Sequence, residues 1–262
     1  MSDNTTEFTK DNIDLYFKEL SKEYKRLGGR NTPVEIVLIG GAAIIESYGF
    51  RNMTTDIDAI LPAMGIMKDA INHIGDRFGL PNGWLNADFV NTSSYSPKLS
   101  AFSKPYRTFN QVLNVRYVTG EYLIAMKLKS GRQYKNDLSD ILGILAEHEK
   151  RECPITKEAI SKAVNDLYGG WREIDEKSVV FINAVFDNQN FGEMYDAIRE
   201  NEQNARSVLI AFRDKYPGVL DEKNIGSIIE NAGKKSESKV SVRETLEILK
   251  NQQTLKNKQN CQ

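Results

Sequence analysis

One pattern constrains this chain more than any other. An apolar run from Val34 to Ile39 ends in Gly40-Gly41, and a short apolar stretch follows to Tyr48. Thr54-Thr55-Asp56-Ile57-Asp58 then opens a second apolar run. The first run has the length and branched content of a buried strand. The paired glycines permit a sharp turn and the close approach of another group to the backbone. Ala42 to Tyr48 reads as a helix that Gly49 stops. Thr55 to Leu61 reads as a second strand: Thr55, Ile57, Ala59 and Leu61 alternate with Asp56, Asp58 and Ile60, and Pro62 closes it.

Residues two apart on a strand point to the same face, so Asp56 and Asp58 project side by side, with backbones roughly 6.5–7 Å apart. Two neighbouring carboxylates repel unless a cation lies between them. The chain has only two histidines, His73 and His148, and two cysteines, Cys153 and Cys261, too few and too scattered for a His/Cys metal cluster. A bound metal must then be held by oxygen, which means Mg²⁺ or Mn²⁺. The Gly40-Gly41 turn opens a helix whose first N–H groups attract anions. A triphosphate across that turn, with its metal on Asp56 and Asp58, is the joint reading. Taken separately, a Gly-Gly pair is more often a plain turn, and an Asp-x-Asp is more often solvated surface.

The rest of the chain sets these segments in context. Its 262 residues are 40% hydrophobic and 27% charged with a formal net charge of −1, an ordinary composition for a chain with a real core and no bulk nucleic-acid coat. No apolar run nears the about 20 residues that cross a bilayer, so no membrane partner is expected and the expected location is cytoplasmic. Ile13, Phe17, Leu20 and Tyr24 recur at helical spacing, so the first roughly 27 residues read as a helix ended by Gly28-Gly29. Ala63 to Phe78 is the next helix. Residues 81–106 offer at most short strands, with Lys104, Tyr106 and Arg107 in a polar loop. Phe109 to Val118 alternates as a strand, and Glu121 to Ser130 and Asn136 to Lys150 are helices.

After Cys153-Pro154 the pattern is helical throughout. The best segments are Ile155 to Tyr168, Lys177 to Phe186, Glu193 to Tyr216 and Val240 to Leu249, followed by a frayed tail from Lys250. We therefore expect a mixed α/β domain over 1–150 and an all-helical domain over 151–262.

Two further groups bear on phosphate chemistry. Lys127 emerges from an apolar helical stripe with Leu123 and Ile124; its ammonium either snorkels to water or meets a phosphate. Asp137 and Asp140 share a face at the start of the next helix, where aspartate also serves as a cap or dipole partner. Arg51, in the loop before the aspartates, is either a solvated charge or a triphosphate contact.

The stretch Leu38-Ile39-Gly40-Gly41-Ala42-Ala43 with Thr54-Thr55-Asp56-Ile57-Asp58 resembles the signature of the DNA polymerase β-type nucleotidyltransferase superfamily. Within it, the chain is most similar to the minimal bacterial branch that includes AbiEii-type toxins. Glu121 to Leu128 with Lys127, then Lys135 to Ile141, follow in the order of that branch, as does Trp84-Leu85-Asn86 more weakly. The resemblance covers roughly residues 34–145.

The resemblance implies an α/β (α+β) nucleotidyltransferase fold with a short mixed sheet flanked by helices, followed by an all-helical C-terminal domain. It implies transfer of a nucleoside monophosphate from an NTP to an RNA, protein or small-molecule acceptor. Asp56 and Asp58 would be the metal ligands for Mg²⁺ or Mn²⁺, and with Lys127 the catalytic residues. Gly40, Gly41, Arg51, Thr54, Thr55, Asp137 and Asp140 would contact the nucleotide. One departure stands out. Larger members carry a third carboxylate on a later strand, and Gln111 to Val118 offers Asn114 and Arg116 instead; Asp88, in a loop, could supply the third ligand. The second reading is therefore a non-catalytic binding module or a toxin–antitoxin component with an antitoxin-like protein partner.

Overall fold

The computed structural model describes residues 6–63, 65–132, 134–221 and 224–235. By contact the described residues form two compact units. The first comprises those up to Met126 together with Glu158–Gly169, and the second comprises Lys127–Lys157 with those from Gly170 onward. The units are thus interleaved in sequence, whereas the sequence pattern suggests one boundary near Arg151. The physical reason lies in the segment after that point. Helix α6 (Lys157–Tyr168) carries residues that bind first-unit partners: Ser96 Oγ donates to Leu167 O at 3.2 Å, and Tyr168 Oη donates to Ser94 O at 2.7 Å.

The first unit is built on a mixed sheet of five strands: β1 (Val34–Leu38), β2 (Ile57–Ile60), β3 (Leu85–Asn86), β4 (Ser103–Phe109) and β5 (Leu113–Val118). Their order is β3-β2-β1-β5-β4. Strand β1 is antiparallel to β2 and parallel to β5; β2 is parallel to β3, and β4 antiparallel to β5. The expected mixed α/β class and short sheet flanked by helices are what the chain forms. Ile36, Leu38, Ile57, Ala59, Leu113 and Val115 fill the core of the sheet.

Strand β4 falls in the segment read as loop. It is an edge strand, largely exposed and bulged near Pro105, so it lacks the alternation that marks a half-buried strand. The tight turn into β5 places Asn110 and Gln111 at φ 46° and 61°, closed by Val112 N–H to Phe109 O at 3.1 Å. The strand read as Phe109 to Val118 is therefore the end of one strand, a turn and a second strand.

Helix α1 (Lys10–Arg26) buries the stripe Ile13, Phe17, Leu20 and Tyr24, while Phe8 ahead of it makes a β-bridge with Thr54. Helix α2 spans Gly40–Ser47 and α3 Gly65–Phe78. A charged group joins α1 to α3. Glu23, 2% exposed, accepts from Arg26 at 2.6 and 3.0 Å and from Arg77 Nη2 at 3.1 Å, with His73 Nδ1 at 2.7 Å. The Arg26 bond, with His73 and Arg77, holds its carboxyl down at about 2 against the burial that opposes it.

Helix α4 (Gly120–Ser130) runs across the division between units. The second unit holds α5 (Asp137–Lys150), α7 (Glu176–Asn188), α8 (Phe191–Lys215) and α9 (Ile225–Lys235). Helix α8 packs on α5, α7 and α9. Helix α9 lies in the part whose pattern is helical throughout, outside its best segments, and the expected helix at Val240 to Leu249 and the tail from Lys250 lie outside the described residues. No helix among the described residues is long and apolar enough to cross a membrane.

Glu23 has a lower pKa folded than its ordinary 4.5, so the stability it contributes is complete above about 4.5 and is lost as pH falls toward about 2. Glu23→Gln should lower the stability by on the order of 2 kcal/mol at neutral pH. That difference should shrink steadily through the acid range in urea titrations.

Candidate active site

The pairing of β1 with β2 brings the glycine turn to the aspartates. Leu38 pairs with Ala59, and Ile39 N–H donates to Asp58 O at 3.1 Å. Ile57 and Ala59 point into the core, which turns Asp58 to the other face, where it is half-buried. Asp56 lies in a bend just before β2 rather than in the strand, and it is exposed. The expected strand from Thr55 thus starts two residues later. The reason is local: Thr54 is committed to Phe8, with N–H···O bonds of 2.7 and 2.9 Å in both directions, and the chain must bend before it joins the sheet.

Gly40 takes φ +54°, a left-handed conformation that favours glycine, and a methyl group there would lie 3.4 Å from Asp58 Oδ2. A methyl group on Gly41 would lie 2.6 Å from Thr54 Oγ1 and 2.8 Å from Arg51 Nη2. Gly40 is thus favoured by its backbone conformation, and Gly41 by the side chains of Thr54 and Arg51 that would have to shift. Arg51 donates from Nε to Met53 O at 3.1 Å and from Nη2 to Thr54 Oγ1 at 3.5 Å. Thr54 Oγ1 in turn lies 3.4 Å from Asp56 Oδ1. Gly40, Gly41, Arg51, Thr54, Asp56 and Asp58 thus converge in the first unit, and Thr55 lies between Thr54 and Asp56 at half exposure.

This cluster sets a guanidinium beside the opening turn of α2 and two carboxylates next to it. The arrangement suits an anion on the turn and a hard cation on the acids. Beside Asp58, Asn86 of β3 pairs in register, and its Oδ1 accepts Asp88 N–H at 2.9 Å. Asp88 opens a 3₁₀ turn and is exposed. On β5, Asn114 accepts from Thr108 Oγ1 at 2.8 Å, and Arg116 is bound to Ser103. Among the described residues no group of three His, Cys, Asp or Glu is arranged to hold a metal ion.

Lys127, Asp137 and Asp140 come together with one another in the second unit. Lys127 is 6% exposed, and its Nζ lies 2.9 Å from Asp137 Oδ1 and 2.8 Å from Asp140 Oδ2. Arg132 Nε donates to Asp137 Oδ2 at 2.9 Å. Burial opposes the charge on Asp137, but Lys127 and Arg132 hold its carboxyl well below the usual range. Glu202 of α8 closes the same region by accepting Leu138 N–H at 2.8 Å and Ser139 Oγ–H at 2.5 Å. Burial pushes its carboxyl up to about 8, with Asp140 adding to the effect.

The role of Phe8 is absent from the sequence reading. Phe8 is fully buried and stacks toward Trp84 with centroids 6.2 Å apart, so it ties the loop carrying Thr54 to the core. The available signal was the helix start: Asn12 Oδ1 accepts Thr9 N–H at 2.8 Å, a capping arrangement that starts α1 just after Phe8.

A short mixed sheet flanked by helices is consistent with a nucleotidyltransferase fold. The chain belongs to the family described as "Nucleotidyltransferase of unknown function (DUF6036)", whose model matches residues 16–148, just over half of the chain. No curated protein and no solved structure matches it.

Two variants probe these clusters. Gly41→Ala must displace Thr54 or Arg51, so it should fold with a lowered melting temperature and lose any stabilisation that a nucleotide gives the parent. Lys127→Met leaves two buried carboxylates without their shared cation and should cost about 3–5 kcal/mol in chemical denaturation. A loss under 1 kcal/mol would rule out a buried ion-pair cluster there.

Proposed function

We propose that this protein transfers a nucleoside monophosphate from an NTP to an acceptor, using the first-unit cluster as its nucleotide site. The observation that carries the reading is the packing of Gly40 against Asp58 and of Gly41 against Arg51 and Thr54. A glycine turn with a left-handed first residue, flanked by a cation and two carboxylates, suits the close approach of a metal-bound polyphosphate. Membership of the nucleotidyltransferase family supports the same reading.

In this reading the N–H groups at the start of α2 bind the terminal phosphates, and Arg51 shares their negative charge. Thr54 holds Arg51 and Asp56 in place through its hydroxyl. Asp56 and Asp58 are the ligands for Mg²⁺ or Mn²⁺: their oxygen donors suit a hard cation, and the missing side chain at Gly40 leaves room over Asp58 Oδ2. Such a cation, when bound, neutralises the phosphates and favours in-line attack at the α-phosphorus with pyrophosphate as leaving group. The acceptor class in this proposal is an RNA, a protein hydroxyl or a small molecule.

One observation favours a second reading. No third carboxylate joins Asp56 and Asp58 among the described residues, which suits a module that binds nucleotide without turnover, as in one half of a toxin–antitoxin pair.

Incubation with each α-labelled NTP, Mg²⁺ and cell extract separates the two. Transfer should place label in one macromolecule or metabolite, and Asp56→Asn with Asp58→Asn should cut it by at least about 100-fold, the scale of losing charge stabilisation in the transition state. Equal labelling by the double variant would refute the site. Nucleotide-dependent thermal stabilisation without labelling would favour the binding module.

A further inference from the structure

Two charged residues of the sheet, Asp58 and Arg116, face the same way. Ile60, Val37 and Arg116 lie in one row across β2, β1 and β5. Paired residues of neighbouring strands share a face, and Asp58, two before Ile60, shares it too. Two strand spacings and two residues of rise put the backbones of Asp58 and Arg116 roughly 12 Å apart. The guanidinium is anchored. Its Nε donates to Ser103 Oγ at 2.8 Å and its Nη2 to Ser103 O at 2.6 Å, while Ser103 Oγ–H donates to Ser100 O at 2.6 Å. Those bonds use two of the five N–H groups of an arginine. Glu35 Oε2, on a side chain that is half in solvent, lies 3.6 Å from Nε, whose N–H is already given to Ser103. Three N–H groups are left without a partner among the described residues, on a side chain that is 27% exposed.

The order along β1 gives this cation its place. Val37 partners Arg116, Ile39 bonds to Asp58, and Gly40 begins the glycine turn. The aspartate thus lies between the turn and Arg116. In-line displacement sets the nucleophile opposite the leaving group. In the proposed reaction pyrophosphate leaves over the glycine turn, so the acceptor enters from the side of Arg116. An anchored guanidinium presents its remaining N–H groups as a fixed fork, which suits phosphate oxygens. The anchor, Ser103, lies on β4, so the guanidinium leans away from β2 and does not close the distance to Asp58. A phosphate that far from the reacting hydroxyl is supplied by a chain of nucleotides rather than by a lone phosphorylated metabolite. We propose that Arg116 binds a backbone phosphate of the acceptor, and that the acceptor is the end of a single-stranded RNA. This rests on the transfer reading above and narrows its acceptor class.

The test reads binding, so it does not depend on turnover. Fluorescence anisotropy of a labelled single-stranded RNA oligonucleotide is followed with the full chain at several salt concentrations. The parent should bind. Arg116→Gln should weaken binding about tenfold and flatten its salt dependence by about one released counterion. Arg116→Lys keeps the charge without the fork and should recover only part of the loss. Arg30→Gln removes the same charge from the exposed turn ahead of β1, at the other end of that strand, and should leave binding unchanged. Ser103→Ala releases the guanidinium without removing it. It should weaken binding by a smaller factor, and it decides the matter if Arg116→Gln fails to fold. Equal RNA affinity of the parent, Arg116→Gln and Ser103→Ala, an equal loss in Arg30→Gln, or no RNA binding by the parent would overturn the contact. Label entering a protein in the transfer assay would overturn the choice of acceptor. RNA binding through Arg116 with no label transferred by the parent would sink the transfer reading and leave the contact standing.

Discussion

The candidate site depends on the antiparallel pairing of β1 with β2. Because the strands run in opposite directions, the end of β1 meets the start of β2, and the Ile39 N–H bond to Asp58 O sets Gly40 beside that aspartate. The core fixes the register. Ile57 and Ala59 are fully buried, and a slip of one residue would drive Asp58 into the interior in their place. Glycine at the turn then follows from the left-handed backbone at Gly40 and from the Thr54 and Arg51 side chains that stand where a side chain on Gly41 would be.

The parts of this design with a period were legible in the sequence. The α1 stripe, the β1 run, α4 and α5 appear close to where periodicity puts them, because one-sided burial writes itself into spacing. The glycine turn and both aspartates were legible for a related reason: each breaks an apolar pattern. Edge strand β4 was not legible, since an exposed strand has no buried face to mark it. Nor was the position of Asp56 in a bend, which depends on a backbone bridge to Phe8 distant in sequence. Lys127, Asp137 and Asp140 could be singled out from their places on helices. That they meet one another depends on how α5 returns past the end of α4, which no local pattern encodes.

Four buried acids show how neighbours decide the fate of a charge. Glu23 and Asp137 are both nearly inaccessible, yet each stays ionised because cations lie in hydrogen-bond contact: Arg26 and Arg77 for one, Lys127 and Arg132 for the other. Glu202 and Glu46 are as deeply buried but meet no cation in hydrogen-bond contact among the described residues, and both shift upward. Burial alone therefore does not predict the sign. The sign follows from whether a cation sits within hydrogen-bond reach.

The same rule explains why the Lys127 cluster can be buried at all. Lys127 and Arg132 bring two positive charges, and Asp137 and Asp140 bring two negative ones. A third carboxylate, Glu202, would break that balance if it were ionised. Its partners are the Leu138 N–H and the Ser139 N–H and hydroxyl at the opening turn of α5, which satisfy its oxygens without supplying a full charge. Burial pushes the Glu202 carboxyl up to about 8, which favours the neutral acid at neutral pH while α8 still closes the end of α5. Ionisation costs little near the surface, but here it would place an excess negative charge beside Asp140. A dipolar cap rather than an ion pair is thus the arrangement that lets three acids share one interior.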